Sequence, residues 1–443
     1  MKFMQTDRLG YGKTFIIGLG FFTTAMCWAL YNSYVPIFLR KYISSATIIG
    51  FVMTIDNWAA IIIQPWIGAL SDKTNTRLGR RMPYIALGIP LAALFFILIP
   101  YFRDRPAGPV VELTLPLIGE LQLASGLLPL FIIIMFFNIA MALYRAPVVS
   151  LMPDVTPSRF RSKANGVINL MGGVGSILAY LVGSFLYDLG VPIPFVTAAG
   201  VMVLALIVLL IFIREPRTIK PEKKGIEPGI INSVKDIFQE KEWSVLFIMT
   251  AVFFWFAAFN SMETWFTTYG VEVLAIKESA ASRILTSISL FFVISALPAG
   301  FIGTRLGRRK TIFIGLVLFI LVLCVVFFVR SIALLYLLFS LAGIAWALIN
   351  VNSITIVWEL ASAVRIGTYT GLYYFFSSLG QMVSPPLAGF VTDRFGMISL
   401  FPYAIGFFLF SLLMMVGVKK GEALSPEEEA EKEKFKNRHI DLE

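Results

Sequence analysis

The chain has 443 residues, of which 58% are hydrophobic and 14% charged; soluble domains hold roughly 45–50% and 25%, so a soluble globular protein is excluded and a bilayer-embedded one described. The net charge of +10 would suit nucleic acid, but most Lys and Arg fall in segments expected to be cytoplasmic, which is the positive-inside pattern, and no nucleic-acid partner is called for. Cys27 and Cys324 lie in apolar runs and the single histidine, His439, in a charged tail, so no metal cluster, disulfide framework or histidine triad can be built.

A membrane helix needs about 20 apolar residues. Taken in order, the apolar runs place spans at 14–39, 46–70, 83–102, 125–149, 163–187, 193–213, 244–270, 281–303, 311–329, 332–357, 367–391 and 398–418. The first run is too long for a cleaved signal peptide and lacks a small-residue cleavage site, so it reads as a span. Between the third and fourth spans, segment 102–124 carries the alternation VELTLPLIGELQL, which predicts a short external β-hairpin. The polar, Lys- and Arg-rich stretch 214–242 divides the chain into six-span halves, 1–213 and 243–418, and 419–443 form a charged tail. The expected fold is all-α and integral to the membrane, with both termini cytoplasmic in a cell membrane.

An internal repeat supports the division. Asp154 and Glu359, Gly166 and Gly371, Gly175 and Gly380, and Asp188 and Asp393 are each 205 residues apart. Gly79-Arg80-Arg81 recurs as Gly307-Arg308-Arg309 at 228, the excess matching the extra external segment of the first half. Duplicated halves are the architecture of a carrier that rocks about a central site.

The loop after the second span, QPWIGALSDKTNTRLGRRMPYI from Gln64 to Ile85, sets Asp72 among Lys73, Arg77, Arg80 and Arg81. Its bases orient the protein, and Asp72 is placed to form a charged latch that one conformation makes and another breaks. In the second copy Thr304 replaces the acid, so an acidic latch there must use another residue, and Glu359, which matches Asp154 by its offset, is the candidate; Asp72, Arg80, Arg81, Asp154, Arg308, Arg309 and Glu359 together make the expected cytoplasmic gate. For Asp154 and Glu359, solvation at a helix end is an equally simple reading.

The order G-x-x-x-D…G-R-R resembles the loop signature of the major facilitator superfamily. Its longer form resembles the sucrose:proton symporters and the neighbouring glycoside-pentoside-hexuronide:cation symporters. The likeness extends to Trp28-Ala29-Leu30, Ser33 and Pro36, to Arg145-Ala146 and to the run from Asn165 through 174–183, and fades in the second half. It implies a twelve-helix fold of two pseudo-symmetric six-helix bundles and a sugar-linked coupling role for Arg145. There are departures: the acid expected five residues after the arginine is Ser150, the seventh-span acid is represented by Glu263, and the paired aspartates of sodium-coupled relatives fall near Ala60 and Gln64. Protons rather than sodium are therefore implied.

Ionisable groups inside a span cost about 2.5–3.5 kcal/mol on insertion scales, so each is a functional candidate. They are Asp56, Arg145 and Glu263. A carboxyl among apolar side chains can exchange a proton near neutrality, and an arginine that pairs with it competes with that proton; a permanent Asp56–Arg145 pair serving only packing is the alternative. Sugar recognition needs ring faces and amides. Trp28, Tyr31 and Asn32 in the first span, Asn260 and Trp265 in the seventh, and Trp346, Asn350 and Asn352 in the tenth supply both, although any one aromatic is more often packing.

The expected activity is import of a glycoside, a disaccharide such as sucrose or maltose, with protons by alternating access. The protein would act as a monomer needing only bilayer, solute and protons, with no cofactor or metal. A proton-driven exporter of amphipathic compounds and a sugar facilitator are the rivals. A membrane enzyme is disfavoured, because no nucleophile–base, metal or nucleotide motif is present.

Overall fold

The computed structural model describes residues 10–115, 119–156, 161–215, 242–360 and 366–421, without the side chains of 56, 59–62, 65, 113, 115, 119–121, 153, 161–163 and 366–368. The described residues form α1 Tyr11–Arg40, α2 Ala46–Met53, α3 Ile55–Lys73, α4 Met82–Tyr101, β1 Val110–Leu115, β2 Gly119–Ala124, α5 Leu127–Val155, α6 Arg161–Leu189, α7 Ile193–Phe212, α8 Trp243–Glu272, α9 Glu278–Leu306, α10 Arg308–Phe328, α11 Ile332–Leu360, α12 Ile366–Phe395 and α13 Leu400–Gly417. Ten of these helices are long and apolar enough to cross a membrane. The remaining two crossings are α2–α3 and the polar α12, so this is an all-helical membrane protein of twelve crossings.

The second span is broken where the sequence reads as one run. Thr54 leaves the helical region (φ −97°, ψ 3°), its backbone N–H bonds Phe51 rather than Gly50, and its hydroxyl caps the Phe51 carbonyl at 2.9 Å. A hydroxyl that satisfies a freed carbonyl makes such an interruption tolerable in lipid. Helices α5, α6 and α11 end at Val155, Leu189 and Leu360, beyond the apolar runs expected to close at 149, 187 and 357.

Chain reversal after each crossing gives two faces, the Asp72 face and the hairpin face. On the latter, β1 and β2 pair antiparallel from Val110↔Ala124 to Leu115↔Gly119. Ile43 and Ser44, between α1 and α2, add to the β2 edge, so the hairpin holds the start of α2. Tyr42 pins the same loop, its hydroxyl within 3.1 Å of the carbonyls of Phe102, Arg103 and Arg105. Burial, and Asp104 nearby, push this phenol above its ordinary range, so it remains a donor.

The sequence repeat corresponds to equivalent helix crossings. A Cβ at Gly175 would lie 2.2 Å from the Phe22 carbonyl of α1, and one at Gly380 2.5 Å from the Phe253 carbonyl of α8. Each glycine therefore lets α6 on α1, or α12 on α8, approach to backbone contact. Gly166 and Gly371 meet no such neighbour. Cys27 is buried, whereas Cys324 is exposed on α10.

Candidate functional site: the seam between two helical halves

Residues 10–215 and 242–421 meet through α1 with α8, α6 with α9, and α2 with α12. Among the described residues, every ion pair between them lies on the hairpin face: Arg40–Glu272 at 3.0 Å, Arg103–Glu278 at 3.0 Å and Arg283–Asp188 at 3.1 Å. Two aspartates of the repeat reinforce them. Asp393, at the end of α12, accepts from the Ala46 and Thr47 amides (2.6 and 2.9 Å) and from the Ser45 and Thr47 hydroxyls (2.7 Å each). It thus caps α2 from the opposite half, where a carboxylate is favoured by unpaired amides and the helix dipole. Asp188, at the end of α6, accepts from Ser279 in the first turn of α9. Gly50 of α2 lies so close to α12 that a Cβ there would sit 2.4 Å from the Pro385 carbonyl.

The Asp72 face is built differently. Arg81 is 6% exposed; it donates to Asp72 and to Ser71, and its Nε lies 3.0 Å from Asp154. Arg80 reaches Asp154 at 2.7 Å. In the other half Arg308 meets Glu359 at 2.9 Å, and Arg309 reaches the Val416 carbonyl. All of these bonds tie helices within one half. The latch around Asp72 therefore holds α3, α4 and α5 together and, among the described residues, does not bridge the halves.

Glu215 was not singled out from the sequence, where it reads as the start of the 214–242 linker. Its carboxylate accepts from the backbone amides of Arg80, Arg81 and Met82, and a Cβ at Gly79 (φ +112°) would collide with it. It fastens the end of the first half onto the first turn of α4. An acid one turn past an apolar run is the only local signal; the partner lies about 135 residues away. Residues 216–241 and the tail from 422, with His439, lie outside the described residues.

The span residues divide into two groups. On α5 the exposed apolar side chains Leu128, Ile132, Phe136 and Ile139 recur at helical spacing and mark the lipid face. Arg145 lies about 140° around the helix from that stripe, is part-buried, and makes no hydrogen bond or ion pair with a described residue. Asn350, its repeat equivalent on α11, sits likewise opposite Leu334 and Leu337. Trp28 and Asn32 of α1, Asn260 and Glu263 of α8, and Asn350 are part-buried. Trp346, 5% exposed, stacks on Phe259 at 4.1 Å between centroids. The Asp56 side chain lies outside the described residues.

Three further sugar candidates are engaged in helix packing. Trp265 is fully buried and donates its indole N–H to the Pro385 carbonyl at 3.1 Å, so it joins α8 to α12. Asn352 spends its amide on the Ala299 and Leu348 carbonyls (3.2 and 2.9 Å), wedged against Gly303 of α9. Tyr31 is fully buried and stacked on Phe137, 5.5 Å away, although it shares a helical face with Trp28 and Asn32. Residue type and spacing suggest these three for the solute; a 3.6-residue period does not say which neighbour a face meets.

Glu263 has one bonding partner among the described residues. The Tyr180 hydroxyl of α6, in the other half, donates to its Oε1 at 2.8 Å. Ser282 of α9 likewise donates to Ser33 of α1 at 3.3 Å. These are the inter-half bonds set deepest below the hairpin face.

Residues 17–282 and 271–440 match the family model described as Major Facilitator Superfamily. The chain is 26% identical over 252 residues to the cis,cis-muconate transport protein of Acinetobacter baylyi, covering 55% of this chain and 60% of that one. It is 27% identical over 218 residues to the general alpha-glucoside permease of Schizosaccharomyces pombe, covering 47% and 34%. Among solved structures, a D-xylose-proton symporter superposes with a TM-score of 0.67 at 15% identity, over 93% of this chain and 97% of the other.

Proposed function

We propose that this chain, which belongs to the Major Facilitator Superfamily, is a secondary transporter that imports a glycoside with protons by alternating access. One observation carries the alternating-access part: the halves are joined on the hairpin face and unjoined, among the described residues, on the Asp72 face. This is the arrangement of a carrier open to one side. Because bases resist translocation, the Asp72 face is the cytoplasmic one and the structure is the inward-facing state. The part-buried Arg145, Asn350, Asn260, Asn32 and Trp28 are the residues proposed to bind the solute through its hydroxyls and ring faces, with Arg145 coupling binding to Glu263 and Asp56 as the proton carriers. The similarity to the alpha-glucoside permease supports the glycoside part.

Uptake of labelled sucrose and maltose into proteoliposomes tests the reading. Accumulation with an inward proton gradient and none without it is expected. Equilibration unaffected by the gradient makes the protein a facilitator, and exclusion of both sugars ends the disaccharide assignment. Glu263→Gln is expected to keep solute exchange and to lose accumulation.

A further inference from the structure

Tyr180 is explained by none of the above. We infer that it is the positioning residue that governs when Glu263 holds its proton, by donating to the carboxylate only while the hairpin face is closed. This rests on the reading of Glu263 as a proton carrier.

The argument begins with the cost of the charge. Glu263 sits nine residues before the end of α8, about 13 Å from the helix terminus, and a carboxylate there is expensive unless hydrogen bonds replace water. The structure supplies one donor, Tyr180, and takes it from the opposite half. No other described charged or titratable group acts on Glu263. On the elements packed against it, Glu278 and Arg283 of α9 are engaged with Arg103, Tyr187 and Asp188, and Asp393 of α12 caps α2. Tyr373 of α12 bonds Ser353, Tyr403 of α13 lies against Ser384, and on α1 Tyr34 stacks on Tyr187 and Tyr31 on Phe137. Tyr180 is held in place because its helix lies against α1 on either side of it, at backbone contact with Phe22 at Gly175 and against the Leu30 side chain at Gly183.

A bond between halves changes with their separation. When the hairpin face parts, α6 moves from α8, Tyr180 leaves, and the carboxyl meets water on that side, where a proton supplies what the phenol gave. When the face closes, the phenol O–H again donates to Oε1. A hydrogen bond to the charged form competes with protonation, so the proton departs toward the open Asp72 face. The same contact thus favours uptake in one conformation and release in the other, as proton-driven import requires. The phenol keeps its own proton throughout.

The test needs no solute. The carboxylic-acid infrared band of purified carrier, reconstituted in lipid, is followed against pH for the wild type, Glu263→Gln, Tyr180→Phe and Tyr180→Leu. Glu263→Gln is expected to remove one titrating band. Tyr180→Phe, which keeps the ring, is expected to move the midpoint of that band upward by about one pH unit, the worth of one hydrogen bond to a charged group. Tyr180→Leu should move it alike, while Ser33→Ala, which breaks the neighbouring inter-half bond, should leave it in place. An unchanged midpoint in Tyr180→Phe, or an equal shift in Ser33→Ala, overturns the role of Tyr180. Should Glu263→Gln remove no titrating band, the proton-carrier reading of Glu263 fails first, and the Tyr180 inference with it.

Discussion

The two faces of this protein use the same residue types for opposite purposes. On the Asp72 face, Arg80, Arg81, Asp72, Asp154 and Glu215 join segments of one half. On the hairpin face, Arg40, Arg103, Asp188 and Asp393 reach into the other half. The difference lies first in partners and at the centre of each network in burial: the Arg81–Asp154 pair is 6% and 13% exposed, against 32% and 33% for Arg40–Glu272, although Asp72 is itself 56% exposed and Arg103–Glu278 is as sheltered as Arg80–Asp154. A bond that must survive the transport cycle can be sheltered from water. One that must break each cycle is better left where solvent can replace the lost partner, since water then repays most of its cost.

The largest expected effect breaks the sheltered network. Arg81→Ala removes the donor to Ser71 and Asp72 and leaves Asp154 with Arg80 alone, and should destabilise the N-terminal half by about 1.5–3 kcal/mol, seen as a fall in the melting temperature of detergent-solubilised protein. Arg81→Lys, which keeps the charge but cannot span both acids, should recover only part of this. A melting temperature unchanged in Arg81→Ala would show that the network on this face is not a structural fastening.

A smaller effect is expected at Asp393. Asp393→Ala removes a cap worth about 1 kcal/mol, so the population open on the hairpin face should rise by about fivefold with little change in melting. Spin labels on Val110→Cys and Ile398→Cys, exposed in opposite halves, would report a second, longer distance. The smallest effect belongs to Arg283→Gln. Its pair with the part-exposed Asp188 is worth about 0.2–1 kcal/mol, and the difference from wild type should fade as salt is raised toward 1 M, where the screening length is about 3 Å. A fading of the Arg81→Ala effect with salt would instead erase the contrast between the faces.

Much of the fold is legible in the chain, for a local reason. In a bilayer each backbone amide must be satisfied within its own helix, so apolar runs and their polar ends set the crossings without help from distant residues. The β-hairpin is equally local, since the alternation VELTLPLIGELQL carries its own pairing. The glycine repeat too is readable, because Gly175 and Gly380 record a close crossing as a missing side chain. The break at Thr54 is less so: a threonine inside an apolar run has the same appearance whether its hydroxyl bonds back four residues or three.

The candidate site is half legible. The cost of charge in lipid draws attention to Arg145 and Glu263 wherever they point, whereas Trp265, Asn352 and Tyr31 carry suitable groups and spend them on neighbouring helices. Glu215 and Tyr180 escape notice for the complementary reason. An acid after a span and a tyrosine within one are ordinary until a partner 134 or 83 residues away is brought to them.

What the sequence determined by itself is therefore the number of crossings, the duplication, the extra hairpin and which face carries the bases, all properties of segments shorter than one helix and its loop. Tertiary structure alone decided which side of the pair of halves is shut, which acids lock a half and which lock the two together, and that Glu263 faces Tyr180. Those outcomes depend on small differences in packing between helices far apart in the chain, and a helical period states that a face exists without stating what it will touch.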